Sequence, residues 1–207
     1  MMLTFKDNKI EVVRGAVEPQ MLGVAQRMVR QVLWKLARSP APHFKSDGQV
    51  ALRNYIGRLS VTEALMYALT PRISSIVGAE LVPTYSYPVI NFPGAELTRH
   101  TDRPACEVTA TLTILNEPEE IWPIFVEENG VAHQIDLSAG DLAIYDGISH
   151  PHWREPQAEG HYNISVFYHY VVVGGPFEEW HKRELTAHPE LMALYAPDPL
   201  RTLFPKP

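Results

Sequence analysis

The chain has 207 residues, 45% of them hydrophobic, and a formal net charge of −6. That length suits one compact domain with a substantial core, and the acidic balance disfavours a phosphate backbone or an anionic membrane surface as partner. The single cysteine, Cys106, excludes an intrachain disulfide and points to a reducing compartment.

Residues 1–7 carry no basic region followed by an apolar run, and no stretch is apolar for long enough to span a bilayer. A cytoplasmic enzyme or binding protein is therefore expected. Pro19 suits a first helical turn. Met21, Leu22, Ala25, Met28, Val29, Val32, Leu33 and Leu36 follow at helical spacing, up to a stop near Arg38. Pro-rich segments at Ser39–His43 and Pro197–Pro207 read as a loop and a tail. A second helix is expected from Ser60, capped by a Ser60/Glu63 box, with Leu65, Met66, Leu69, Ile73 and Ile76 as its apolar stripe. Pro71 should bend or interrupt it.

From about Glu80 the pattern changes to short β-rich runs separated by Gly, Pro, Asn and Asp. Strands are expected at Leu81–Phe92, Glu107–Leu115, Pro123–Glu127, Ala132–Leu137, Asp141–Asp146, around His150–Arg154 and at Asn163–Val173. Alternation puts Thr109, Thr111 and Thr113 on one face, opposite Val108, Ala110, Leu112 and Ile114. It likewise puts Asn163, Ser165, Phe167 and His169 opposite Ile164, Val166, Tyr168 and Tyr170. A final helix is expected over Phe177–Thr186. Helices first and strands later imply an α+β fold. Its parts are helical support over 1–80, a β-barrel core over 81–175, and a C-terminal helix and tail over 176–207.

The chemistry-bearing segment is Leu97-Thr98-Arg99-His100-Thr101-Asp102. A His and an Asp two residues apart on extended backbone point to the same side. A third ligand from Ser149-His150-Pro151-His152-Trp153-Arg154 would give two imidazoles and a carboxylate, the facial set of non-haem iron. His150 and His152 both qualify by spacing. Tyr85, Tyr87 and Asn91 share one face of the strand that leads to this segment. They either line a pocket or form an ordinary aromatic core face. Thr109, Trp122 and His169 admit the same two readings, and Cys106 reads as structural. No phosphate-binding loop, dinucleotide fingerprint or CxxC pair is present.

In order, the sequence runs Phe92-Pro93-Gly94-Ala95-Glu96-Leu97, His100-Thr101-Asp102, Trp122-Pro123, Leu137-Ser138-Ala139-Gly140-Asp141, Tyr145-Asp146-Gly147 and Pro151-His152-Trp153-Arg154. This set resembles the 2-oxoglutarate/iron(II)-dependent oxygenases, in particular their prolyl-hydroxylase-like branch, over roughly Tyr85–Val173. The resemblance implies a double-stranded β-helix, a jelly-roll barrel buttressed by the N-terminal helices. It implies iron(II) held by His100, Asp102 and His152, with O2 and 2-oxoglutarate as co-substrates. His150 becomes the alternative ligand or a group orienting one.

One departure matters. The resembled family carries an arginine about ten residues after the distal histidine, where its fork clamps the far carboxylate of 2-oxoglutarate. Here Tyr162 and Asn163 occupy that place, although Ser165 matches a hydroxyl residue that follows it. Arg99, Arg103 and Arg154 are the candidate substitutes. The implied reaction is oxidation of a C–H bond in a small molecule or peptide. The alternatives are an oxygenase or oxidase of the same fold that takes electrons from its substrate, and a non-catalytic metal-binding domain. A homodimer is the expected assembly.

Overall fold

The computed structural model describes residues 9–38, 45–46 and 50–188, so the two Pro-rich segments lie outside the described residues. In chain order the elements begin β1 (Ile10–Val13), α1 (Pro19–Ala37), β2 (Lys45–Ser46), β3 (Arg53–Tyr55) and α2 (Ser60–Val77). β4 (Leu81–Asn91), β5 (Leu97–His100), a 3-10 turn at Pro104–Cys106 and β6 (Val108–Glu117) follow. The chain continues through β7 (Ile124–Glu128), β8 (Val131–Ile135), β9 (Leu142–Asp146), β10 (His152–Arg154), β11 (Tyr162–Val172) and α3 (Glu179–Ala187). Seven strands form one antiparallel sheet in the order β1-β9-β6-β11-β4-β3-β2, and four form a second in the order β5-β10-β7-β8.

The alternation read along β6 and β11 holds. Val108, Ala110, Leu112, Ile114, Ile164, Val166, Tyr168 and Tyr170 face outward into a core shared with α1 and α2. The other face of the large sheet packs on the small one, where Ile10, Ala143 and Tyr145 meet Ile124, Val126 and Ile135. The polar positions of β6 and β11 lie on that inner face, in register: Thr109 opposite His169, Thr111 opposite Phe167, Thr113 opposite Ser165. A bulge then shifts the register, so that Asn163 faces Asn116.

The helices differ from expectation in three details. Along α1 the buried side is Ala25 and Val29, flanked by Leu22 and Leu33, whereas Met21 and Met28 are exposed. The apolar stripe read from the sequence is wider than the one surface α1 covers. In α2, Pro71 sits inside an unbroken helix. Burial of Val61, Leu65, Met66, Leu69 and Ile73 outweighs a cost of about 3 kcal/mol for an interior proline. The Ser60/Glu63 box does not form, because Leu59 holds the cap position without a side-chain bond. Glu63 instead accepts a 2.6 Å hydrogen bond from Ser86 Oγ in β4 and lies 3.8 Å from Arg58. β1, β2 and β3 were not foreseen, and β5 was expected only as extended backbone; the pieces are too short to show periodicity.

Candidate metal centre

β5 and β10 pair antiparallel with His100 opposite His152, which brings the two imidazoles together, their planes tilted by 54°. Their ring centroids are 4.3 Å apart. Asp102 lies two residues past the end of β5, and its backbone N–H donates to Gly147 O at 2.8 Å. Its Oδ1 is 3.6 Å from His100 Nε2 and 3.7 Å from His152 Nε2. The Nδ1 atoms point the other way: that of His100 meets Thr98 O at 2.8 Å and that of His152 meets His150 O at 3.0 Å. A carbonyl partner makes each Nδ1 a donor, so each Nε2 presents a lone pair to the space shared with Asp102.

The surroundings hold the carboxylate as an anion. Burial alone would raise the Asp102 pKa, but His100, His169, His152 and a hydrogen bond from Thr109 outweigh it and bring it to about 2. Thr109 Oγ donates to Asp102 Oδ2 at 2.8 Å and contacts His169 Nδ1 at 3.1 Å. Burial drives the His169 pKa down to about 4, so this ring is neutral near pH 7. His152 is lowered by burial, and His100 is raised by its bond to Asp102. Gly147 closes the back of the site. A Cβ there would lie 2.5 Å from Cys106 O, 2.6 Å from Asp102 Oδ2 and 2.7 Å from Thr109 Oγ.

The three groups open on a cavity of about 390 Å³. Of the residues singled out in the sequence, Tyr85, Tyr87, Arg103 and Thr109 line it, as do His169 and Cys106. Tyr85 OH lies 3.0 Å from Cys106 Sγ, and Arg103 stacks over the Tyr85 ring at 5.0 Å. Burial pushes the Cys106 thiol up to about 12, which keeps it protonated and matches its structural reading. The His150 ring is outside the converging group; only its carbonyl contributes, by orienting His152.

Two of the three candidate arginines lie elsewhere. Arg99 is half-exposed and pairs with Glu127 at 2.7 Å. Arg154 is buried behind the wall, stacked on Trp122 and bonded to Trp122 O. Trp122 itself packs with Val50, Ala95 and Leu97. Asn91, Asn163 and Ser165 are buried and bonded to one another: Asn91 Nδ2 donates to Asn163 Oδ1 at 3.0 Å, and Ser165 Oγ donates to the same oxygen at 2.6 Å. The sequence reading missed Arg53, Leu97, Tyr145 and Phe167 on the cavity wall. Phe167 and Tyr145 were legible from strand alternation. Arg53 was not, because its strand is three residues long.

Two imidazoles and a carboxylate suit a first-row metal that keeps positions open for other ligands. Their ligand atoms lie within 4.8 Å of one another. Cis donors on a six-coordinate ion with bonds near 2.1 Å stand roughly 3 Å apart. The observed spacings therefore close on an ion through small side-chain rotations. His100, Asp102 and His152 fit an iron(II) ion on these grounds. Asp102, Cys106 and His169 also converge, but a protonated Cys106 and a His169 whose Nδ1 already meets Thr109 Oγ make a poorer set.

No protein-family model and no curated protein matches the chain. Solved structures do. The 2-oxoglutarate-dependent, non-haem epimerase SnoN of nogalamycin biosynthesis aligns with 81% of this chain and 79% of its own, at 12% identity and TM-score 0.64. HygX from Streptomyces hygroscopicus, with nickel, 2-oxoglutarate and hygromycin B bound, aligns over 80% and 84%, at 11% identity and TM-score 0.61. A Trichoplax adhaerens prolyl hydroxylase in complex with a hypoxia-inducible-factor peptide aligns over 86% and 88%, at 14% identity and TM-score 0.61. The chain thus has the double-stranded β-helix fold of the 2-oxoglutarate/iron(II) oxygenases, with an HxD…H set of residues at the place its own two sheets open.

Proposed function

We propose that the protein is a non-haem iron(II) oxygenase that uses O2 and 2-oxoglutarate to oxidise a C–H bond of a small molecule or peptide. The observation that carries this reading is the convergence of His100 Nε2, His152 Nε2 and an Asp102 oxygen on one cavity, with both Nδ1 atoms tied to backbone carbonyls. When bound there, iron(II) would supply oxygen activation that no side chain can provide. The chain's own residues do the rest. His100 and His152 would hold the ion in fixed tautomers, and Thr109 orients Asp102. The aromatic walls of Tyr85, Tyr87, Tyr145 and Phe167 keep bulk water out and position the substrate. A cavity of this size admits one small molecule or one side chain of a peptide beside the co-substrate.

The test is spectroscopic. Protein loaded with iron(II) under anaerobic conditions should give a metal-to-ligand charge-transfer band on addition of 2-oxoglutarate. Oxygen should then be consumed, with succinate formed. Iron bound at one equivalent without a band would favour an oxygenase that draws electrons from its substrate. Iron without oxygen uptake under any condition would favour a metal-binding domain. Failure to bind iron, or binding unaffected by His100→Ala, would overturn the proposal.

A further inference from the structure

Resting on that reading, Arg53 on the cavity wall bears on how the co-substrate is held. Arg53 of β3 faces Asn91 of β4, Asn91 faces Asn163 of β11, and Asn163 faces Asn116 of β6, one row across four strands. The row is hydrogen-bonded in one direction. Arg53 Nε donates to Asn91 Oδ1 at 2.8 Å and Asn91 Nδ2 to Asn163 Oδ1 at 3.0 Å. Asn163 Nδ2 then donates to Asn116 Oδ1 at 2.8 Å. All four side chains are buried. Each amide accepts from the group before it and donates to the next, so the row fixes the plane of the guanidinium at its head. The Phe167 ring lies 5.4 Å from that guanidinium and backs it from β11.

Arg53 also lines the cavity on which His100, Asp102 and His152 converge. Among the described residues lining that cavity, Asp102 is the one carboxylate, against the guanidiniums of Arg53 and Arg103. Arg154, buried nearby with its Nη2 lacking a hydrogen-bond partner, adds to the positive field at the Arg53 end. A fixed, buried, planar fork in such a field matches a carboxylate. Asn163, where the sequence resemblance led us to expect an arginine, is a member of the row: the amide stays on β11 while the cation arrives from β3.

We propose that Arg53 binds the distal carboxylate of 2-oxoglutarate, the end remote from the metal. Two ligands separate this role from a structural one: 2-oxoglutarate, and 2-oxopentanoate, which carries a methyl group in place of that carboxylate. Anaerobic iron(II) protein is titrated with each, and the charge-transfer band is read. Wild-type protein should bind 2-oxoglutarate about 100-fold more tightly, the scale of a buried charge pair. Arg53→Gln should lose that preference while iron affinity and 2-oxopentanoate binding stay unchanged, and Arg53→Lys should recover part of it. Should Arg53→Gln fail to take up iron, Arg53→Lys becomes the deciding variant and must show a reduced preference. A preference kept in both Arg53 variants and lost in Arg103→Gln would move the anchor to Arg103 and overturn the proposal, leaving the oxygenase reading intact. Equal wild-type affinity for the two ligands would overturn it in the same way. No band with either ligand on iron-loaded protein would refute 2-oxoglutarate use itself, and the anchor with it.

Discussion

Asp102 is held by three contacts that each depend on one atom: the Thr109 hydroxyl, the Gly147 carbonyl and the absence of a Cβ at Gly147. Replacing Thr109 with Val removes the donor to Oδ2 and should weaken metal binding about 10-fold, since partners that orient metal ligands matter at that scale. A competition titration against a metal-sensitive dye would measure it. Gly147→Ala must displace Asp102 or Thr109 and should destabilise the apo-protein by about 1–3 kcal/mol in urea, as overpacking does. Unaltered metal affinity in Gly147→Ala would contradict the placement of Asp102. His169 sets a pH dependence. Its folded pKa of about 4 lies below the ordinary 6.5, so the unfolded chain binds more protons than the folded one between those values. Stability should therefore fall as the pH drops from about 6.5 to 4, by on the order of 3 kcal/mol from this group, and change no further below. Asp102 acts in a lower window: its contribution, present above about pH 3.8, is lost as the pH falls through about 2. His169→Gln should flatten the upper slope in urea midpoints of the apo-protein; an undiminished slope would place the titrating group elsewhere.

Among the elements, β5 and β10 carry His100 and His152, two of the three candidate ligands, and are only four and three residues long. Such strands have little stability of their own, and their register comes from neighbours. β10 is held between β5 and β7, while Trp122 and Arg154 fix its far end through stacking. Helix α2 supports the site from the opposite side of the large sheet. Its Ile73 is fully buried in the outer core that includes the outward residues of β6 and β11, so Ile73→Ala should cost about 2–5 kcal/mol. Because Ile73 touches the outer core and not the cavity, metal affinity measured well below the melting temperature should not change. A loss of affinity would mean that the sheet transmits strain from one face to the other.

For the molecule as a whole, the two sheets converge on a polar cavity instead of closing into a continuous apolar core. Two imidazoles, a carboxylate and the buried Arg53 there cost desolvation energy that a bound metal and anion would offset. Metal ions should therefore stabilise the fold. At a free concentration of about 100 times Kd, the gain is about 2.7 kcal/mol. Thermal melts with and without a chelator would show it, and the shift should vanish in His152→Ala. A shift of equal size in that variant would put the ion at another site.

The sequence by itself determined the α+β class, most strand positions from β4 onward, and the placing of His100 and Asp102 on one side of the chain. These follow from short-range periodicity: alternation along β6 and β11 forces polar residues onto one face whatever the topology. It also contained the departure at Asn163, since that is a matter of spacing along the chain. The tertiary structure decided what spacing cannot reach. Placing His152 opposite His100 and leaving the His150 ring outside depend on the β5–β10 register. The amide row depends on a bulge that turns Asn116 inward. Arg53 enters the cavity because a three-residue strand from the N-terminal third pairs with β4, a contact 38 residues apart that leaves no periodic trace. Local order is written in local pattern; the composition of the cavity is set by which distant strands become neighbours.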